Sequence, residues 1–218
     1  MSMLARIMMM AGTPLATYIA NASGGQSSMG FSLPASGAGG TVMAGDYMVV
    51  EYFSGTTISG GSGAAFTTST FTGTKVSSRL IEPADLTTPF TFNVAGPYIL
   101  YIIRGATSIG AAVRSGTLSG GTEYPTEVAG FTPSVGAVAI MGFAIAQAPT
   151  STQAEVRWRI KGGVPFAGVF DVSDAELTTG WGYGVGLLTE LSTYTGGPFA
   201  LGTEDPVNTV TYRVHELF

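Results

Sequence analysis

Tyr98-Ile99-Leu100-Tyr101-Ile102-Ile103-Arg104 is the stretch that decides the fold class. Its apolar side chains occupy both odd and even positions, and β-branched and aromatic residues dominate. Gly96-Pro97 before it and Gly105 after it leave room for a strand but not for a helix. A segment of this kind is expected as a central strand covered on both faces. Val138-Ala139-Ile140-Met141-Gly142-Phe143-Ala144-Ile145 reads the same way. Two other segments alternate instead. Phe90-Thr91-Phe92-Asn93-Val94 and Thr209-Val210-Thr211-Tyr212-Arg213-Val214 set apolar against polar residues with period two, the pattern of a half-buried strand.

Outward from these segments, further strands are predicted over Ala16–Ala20, Met29–Leu33, Tyr47–Phe53, Ala65–Phe71, Ser78–Glu82, Glu155–Ile160, Ala167–Val172 and Tyr183–Leu191, each bounded by Gly, Pro, Ser or Asn. Helical periodicity is nearly absent. One short turn is expected at Val172–Leu177, where Ser173 would cap and Glu176 follows three residues later. Such a series predicts an all-β protein, a two-sheet antiparallel β-sandwich with jelly-roll-like connectivity. Residues 14–218 are read as one sandwich domain and residues 1–13 as a short N-terminal arm. The glycine-rich stretches Ser36–Gly40, Ser59–Ala64 and Gly116–Thr122 read as surface loops, either active in binding or simply tolerated turns.

Composition narrows the function classes. Only 11% of the 218 residues are charged, 32 are glycine, and the net charge is −5. Ser, Thr and Gly therefore form the surface in place of Lys and Glu. Scattered basic residues on an acidic chain argue against a nucleic-acid partner or an anionic membrane. With no cysteine there is no disulfide, thiolate metal site or cysteine nucleophile. Within the arm, Met3, Leu4, Ile7, Met8, Met9 and Met10 offer adaptable apolar contacts and are expected to dock on a neighbouring subunit. The same segment resembles a secretory leader only loosely, because Gly12, Thr13 and Pro14 interrupt its apolar run. It is too short for a membrane span, so no membrane insertion is expected.

A catalytic reading lacks its parts. His215 is the single histidine and is expected to be an exposed or interface residue of the last strand. Paired carboxylates, which glycosidases need, are offered by Asp171 with Asp174 and Glu176, by Glu123 with Glu127, and by Glu204 with Asp205. All fall at predicted loops or strand ends, where acids commonly keep turns soluble. Asp171, Asp174 and Glu176 could also present oxygens to calcium, but without the glycine and alternation of an EF-hand loop. Gly180-Trp181-Gly182-Tyr183-Gly184 has the glycine density of a phosphate loop but no Lys-Ser/Thr pair and no following helix, and no cofactor is expected. Its glycines suggest rings packed over bare backbone. Trp158, between Arg157 and Arg159, is expected to point into the core. The alternative for Trp181, Tyr183 and Tyr194 is a ligand-facing platform for sugar stacking.

Phe31-Ser32-Leu33-Pro34-Ala35, followed by Ala44-Gly45-Asp46-Tyr47-Met48-Val49-Val50, resembles an opening found in bacteriophage and prophage β-sandwich virion proteins. Pro89-Phe90-Thr91-Phe92-Asn93-Val94-Ala95-Gly96 and the strand Tyr98–Arg104 with Gly105-Ala106 resemble a strand pair of the same group. Gly45-Asp46 would make a turn before a central strand, and Gly96-Pro97 a tight link between neighbours. The chain departs from the pattern in the glycines at 37–40 and in the methionine-rich arm. The resemblance implies a structural protein of the virion, made in the host cytoplasm: a head decoration or spike, or a tail-fibre or receptor-binding subunit. Its partners would be other virion proteins and further copies of itself, a trimer being favoured, with host-surface carbohydrate as a contact. It supplies no catalytic or metal residues. Two other classes stand beside it: a secreted bacterial carbohydrate-binding module or adhesin, and a hydrolase built on the carboxylates above.

Overall fold

The computed structural model describes residues 16–25, 27–71, 73–121, 126–147, 156–160, 164–165, 172–173, 181–189, 191, 199–203 and 207–218. The arm 1–13, with Met3, Leu4, Ile7, Met8, Met9 and Met10, lies outside them.

The described strands all pair antiparallel. Its first half holds β1 (Thr17–Gly24), β2 (Gly30–Phe31), β3 (Ser36–Gly37), β4 (Gly40–Thr41), β5 (Tyr47–Phe53), β6 (Ile58–Gly60), β7 (Thr67–Phe71), β8 (Thr74–Leu80), β9 (Phe90–Phe92) and β10 (Tyr98–Arg104). The second half holds β11 (Ile109–Gly121), β12 (Thr126–Val128), β13 (Ala139–Gln147), β14 (Val156–Ile160), β15 (Val164–Pro165), β16 (Val172–Ser173), β17 (Trp181–Leu188), β18 (Phe199–Thr203) and β19 (Val207–Leu217). A 3-10 turn, Pro83–Leu86, follows β8.

Two five-stranded sheets face each other. The first runs β1-β10-β5-β8-β7 and the second β11-β19-β13-β17-β16. Alternation within the strands explains how they stack. Tyr47 and Val49 of β5 and Ile99, Tyr101 and Ile103 of β10 share a core with Met141, Phe143 and Ile145 of β13, Leu187 of β17 and Leu217 of β19. The intervening residues point the other way. Met48, Val50, Leu100 and Ile102 join Phe31 of β2 and Phe90 and Phe92 of β9 in a second core, under a three-stranded sheet β2-β9-β6. On the far side, Trp158 of β14 carries a four-stranded sheet, β12-β18-β14-β15, against the second large sheet. A Cβ added to Gly142 or Gly186 would come within 2.7 or 2.6 Å of Trp158 atoms, so the indole lies on bare backbone where these glycines pair across β13 and β17. The molecule is thus a four-layer stack with the expected β-sandwich at its centre.

β10 and β13 have the double burial read from the sequence, and β19 alternates with Val210, Tyr212 and Val214 buried. Two expectations are corrected. Connectivity is not that of a jelly roll: each large sheet is built from one half of the chain, so successive strands do not cross between the facing sheets. Residues 116–121 are not a loop but the end of β11, where Gly116 opposes Tyr212 and a Cβ would stand 3.0 Å from the Tyr212 hydroxyl. Gly116 there serves ring packing, not a turn. Ser173 pairs with Gly184 as β16, and residues 174–177 of the expected turn lie outside the described residues. Gly45-Asp46 does turn into β5, with Gly45 at φ +92° and Asp46 N–H donating to the Met43 carbonyl at 3.2 Å. Gly96-Pro97 links two layers, because β9 and β10 belong to different sheets.

Candidate functional site: a hydroxyl-lined groove

Neighbouring strands of the first sheet bring together side chains that no local motif announces. Lys75 and Ser77 alternate along β8 and so share a face. Tyr52 of β5 stands opposite Lys75, and Thr68 of β7 opposite Ser77. Ser77 Oγ lies 2.8 Å from the Tyr52 hydroxyl and 2.7 Å from Thr68 Oγ1, a continuous chain of three hydroxyls. Lys75 Nζ donates to the Thr56 carbonyl at 2.8 Å. Thr57, β6 and the segment Gly63–Phe66 form the opposite wall, enclosing an open groove of about 450 Å³.

The wall is held by a buried ion pair. Arg79 Nη2 reaches Asp85 Oδ1 at 2.7 Å, and both side chains are buried. Asp85 Oδ1 also accepts the Ser62 N–H at 2.6 Å, Asp85 Oδ2 accepts the Glu82 N–H at 2.8 Å, and Arg79 Nη1 donates to Ser62 Oγ at 3.0 Å. The guanidinium lies 4.8 Å from the centre of the Phe66 ring and 5.5 Å from that of Phe90. Burial alone would raise the Asp85 carboxyl, but the Glu82 and Ser62 N–H groups together with the Arg79 guanidinium hold it below the ordinary aspartate value. The glycine-rich loop Ser59–Ala64 is therefore clamped in the middle. A second pair, Arg104 Nε and Nη2 on Asp46 at 2.7 and 2.9 Å, ties β10 to the turn before β5 at the rim of the same sheet.

Among the carboxylate sets considered from sequence, only Glu127 lies within the described residues, in β12; Glu123, Asp171, Asp174, Glu176, Glu204 and Asp205 lie outside them. Tyr194 also lies outside. Trp181 and Tyr183 begin β17, paired with Gln147 and Ile145, away from the groove strands. Trp158 is 1% exposed, as expected of a core residue. His215 corrects its expectation: it is buried at 5% exposure between the two large sheets. Its Nδ1 lies 2.9 Å from the Gly110 carbonyl, and its ring is edge-on to Phe143. Burial first, then the nearby Arg213 charge, push it below the usual histidine value, partly offset by the Gly110 bond. Among the described residues no three His, Cys, Asp or Glu side chains gather as a metal site.

One titratable group has the opposite character. Glu51 of β5 is 2% exposed and faces the second large sheet, with Val76 and Ile99 of that core as its register neighbours. Neither carboxyl oxygen has a hydrogen-bond partner, and Thr74 Oγ1 approaches without bonding geometry. Burial pushes the carboxyl well above the ordinary value of 4.5, only partly offset by that hydroxyl. The folded state therefore keeps a proton that the unfolded chain releases. The ionisation of Glu51 adds no penalty below about pH 4.5, and the penalty grows as pH rises toward the folded value. Glu51→Gln should raise stability at pH 7 by about 1–3 kcal/mol and leave it unchanged near pH 4. Urea titrations at the two pH values check this, and equal stabilities at pH 7 contradict it. The side chain is enclosed on the sheet face opposite the groove, so it is no candidate acid for groove chemistry.

Comparison with protein-family models, with curated proteins and with solved structures finds no match to this chain.

Proposed function

We propose that this protein is a non-enzymatic structural component of a bacteriophage virion surface, a head decoration or spike or a tail-fibre or receptor-binding subunit. It works as a homo-oligomer and contacts host-surface glycans through the groove. The observation that carries this reading is the edge of the first large sheet. β7, Thr67-Thr68-Ser69-Thr70-Phe71, pairs only with β8 among the described residues. Its Thr and Ser residues are exposed, and it has no charge, proline or bulge to deter a further strand. Monomeric β-proteins usually guard such edges, whereas assembly parts use them. The charge-poor Thr/Ser/Gly surface and the resemblance around Phe31–Val50 and Pro89–Ala106 support the same reading. Residues 1–13 would anchor the subunit on its neighbour while the groove faces outward.

The groove by itself also suits a secreted carbohydrate-binding module or adhesin. The two readings differ in solution. The virion reading expects the full-length protein to run as a closed oligomer by light scattering, and the binding module expects a monomer.

A further inference from the structure

We infer that the groove takes a pyranose carrying a single carboxylate, an acidic sugar unit of a surface glycan, with its carboxylate on Lys75. This rests on the reading of the groove as a glycan contact and names the class of sugar. A volume of about 450 Å³ lies within the range of small-ligand sites and suits one or two sugar rings.

The polar floor matches sugar hydroxyls in kind. Tyr52, Ser77 and Thr68 have three hydroxyl protons and use two in the bonds between them. One proton and several lone pairs remain for a ligand, and the chain can reverse direction to suit it. Sugar hydroxyls, which both donate and accept, pair with such a chain in either sense. Phe66, Ile58 and Ala65 on the wall offer apolar contact to the C–H face of a ring. Phe66 is held in place from behind by the Arg79 guanidinium.

Charge selects the acid. Among the described residues Lys75 is the single charged one lining the groove, on a chain of net charge −5. Its ammonium has three protons, of which one goes to the Thr56 carbonyl. Two remain for a carboxylate, and no acidic side chain among the described residues lines the groove to neutralise them. One ammonium balances one carboxylate. A phosphate dianion would call for a second cation or an arginine fork, and the lining offers neither.

Calorimetric titration of the full-length protein with the methyl glycosides of glucuronate, galacturonate and mannuronate, each against its neutral hexoside, tests the inference. At least one uronoside should bind on the order of ten-fold tighter than its neutral counterpart, as a charge-assisted contact implies. Lys75→Met should abolish that preference, and Lys75→Arg should retain it. Thr68→Val, at an exposed position that folding tolerates, should weaken both classes. Equal binding of acidic and neutral sugars, or a preference that survives Lys75→Met, would overturn the inference and leave the groove as a neutral-sugar site. Absence of binding by any of the six glycosides would overturn both the inference and the groove reading.

Discussion

Asp85→Ala should destabilise the protein by about 3–5 kcal/mol, the usual consequence of removing one member of a buried ion pair. The carboxylate is fully buried, and its loss strands the Arg79 guanidinium between Phe66 and Phe90. Arg79 Nε already lacks a partner, so the stranded cation has little to fall back on. The Ser62 and Glu82 N–H groups lose their acceptor in the same step. Because Ser62 lies between Gly60 and Gly63 of the groove wall, the variant should also lose ligand binding before it loses its fold. Replacing the whole pair, Arg79→Met with Asp85→Leu, should cost less than Asp85→Ala alone, since no buried charge remains. The acid limb follows from the lowered aspartate: its contribution is complete above the ordinary value of 3.8 and disappears as pH falls through the folded value. Urea unfolding of the three proteins measures this. A cost below 1 kcal/mol for Asp85→Ala would mean that the pair does not hold the wall.

Trp158→Ala should cost a similar 3–5 kcal/mol. The indole is 1% exposed, stands edge-on to Tyr212, and joins the outer four-stranded sheet to the second large sheet. Gly142 and Gly186 make the space for it, and at Gly186 the obstructing atom is Trp158 Cβ, which cannot swing away. Gly186→Ala should therefore be strongly destabilising in the wild-type background. Only a Trp158→Gly background removes that Cβ; there the clash is gone and the added methyl meets vacated volume, so the second substitution should be neutral or restorative. Additive losses in that double variant, read from denaturant midpoints, would contradict the packing described.

The parts of this architecture that were legible in the sequence are those decided by local pattern. β5 and β10 have the ends predicted from their turn residues, because burial of both faces keeps each run apolar, Glu51 of β5 excepted, between its flanking turns. Pairings between distant residues leave no such mark. β11 was hidden because Gly, Ser and Thr at 115–121 look like a loop until Tyr212, far along the chain, is laid over Gly116. His215 looked exposed because it alternates with Arg213, yet the facing sheet covers it. The groove was half visible. Ser59–Ala64 stood out for its glycines, but Tyr52, Thr68, Lys75 and Ser77 are ordinary residues of three strands and acquire meaning only through register. Layer number and strand order likewise depend on which sheets meet, and periodicity is silent on that.

The claim that this chain is an assembling surface component is tested most directly by its solution mass. Light scattering after size exclusion on the full-length protein and on residues 14–218 would supply it. The account predicts a closed oligomer, a trimer being favoured, that dissociates to monomers when residues 1–13 are removed. A full-length protein that remains monomeric at every concentration would contradict it.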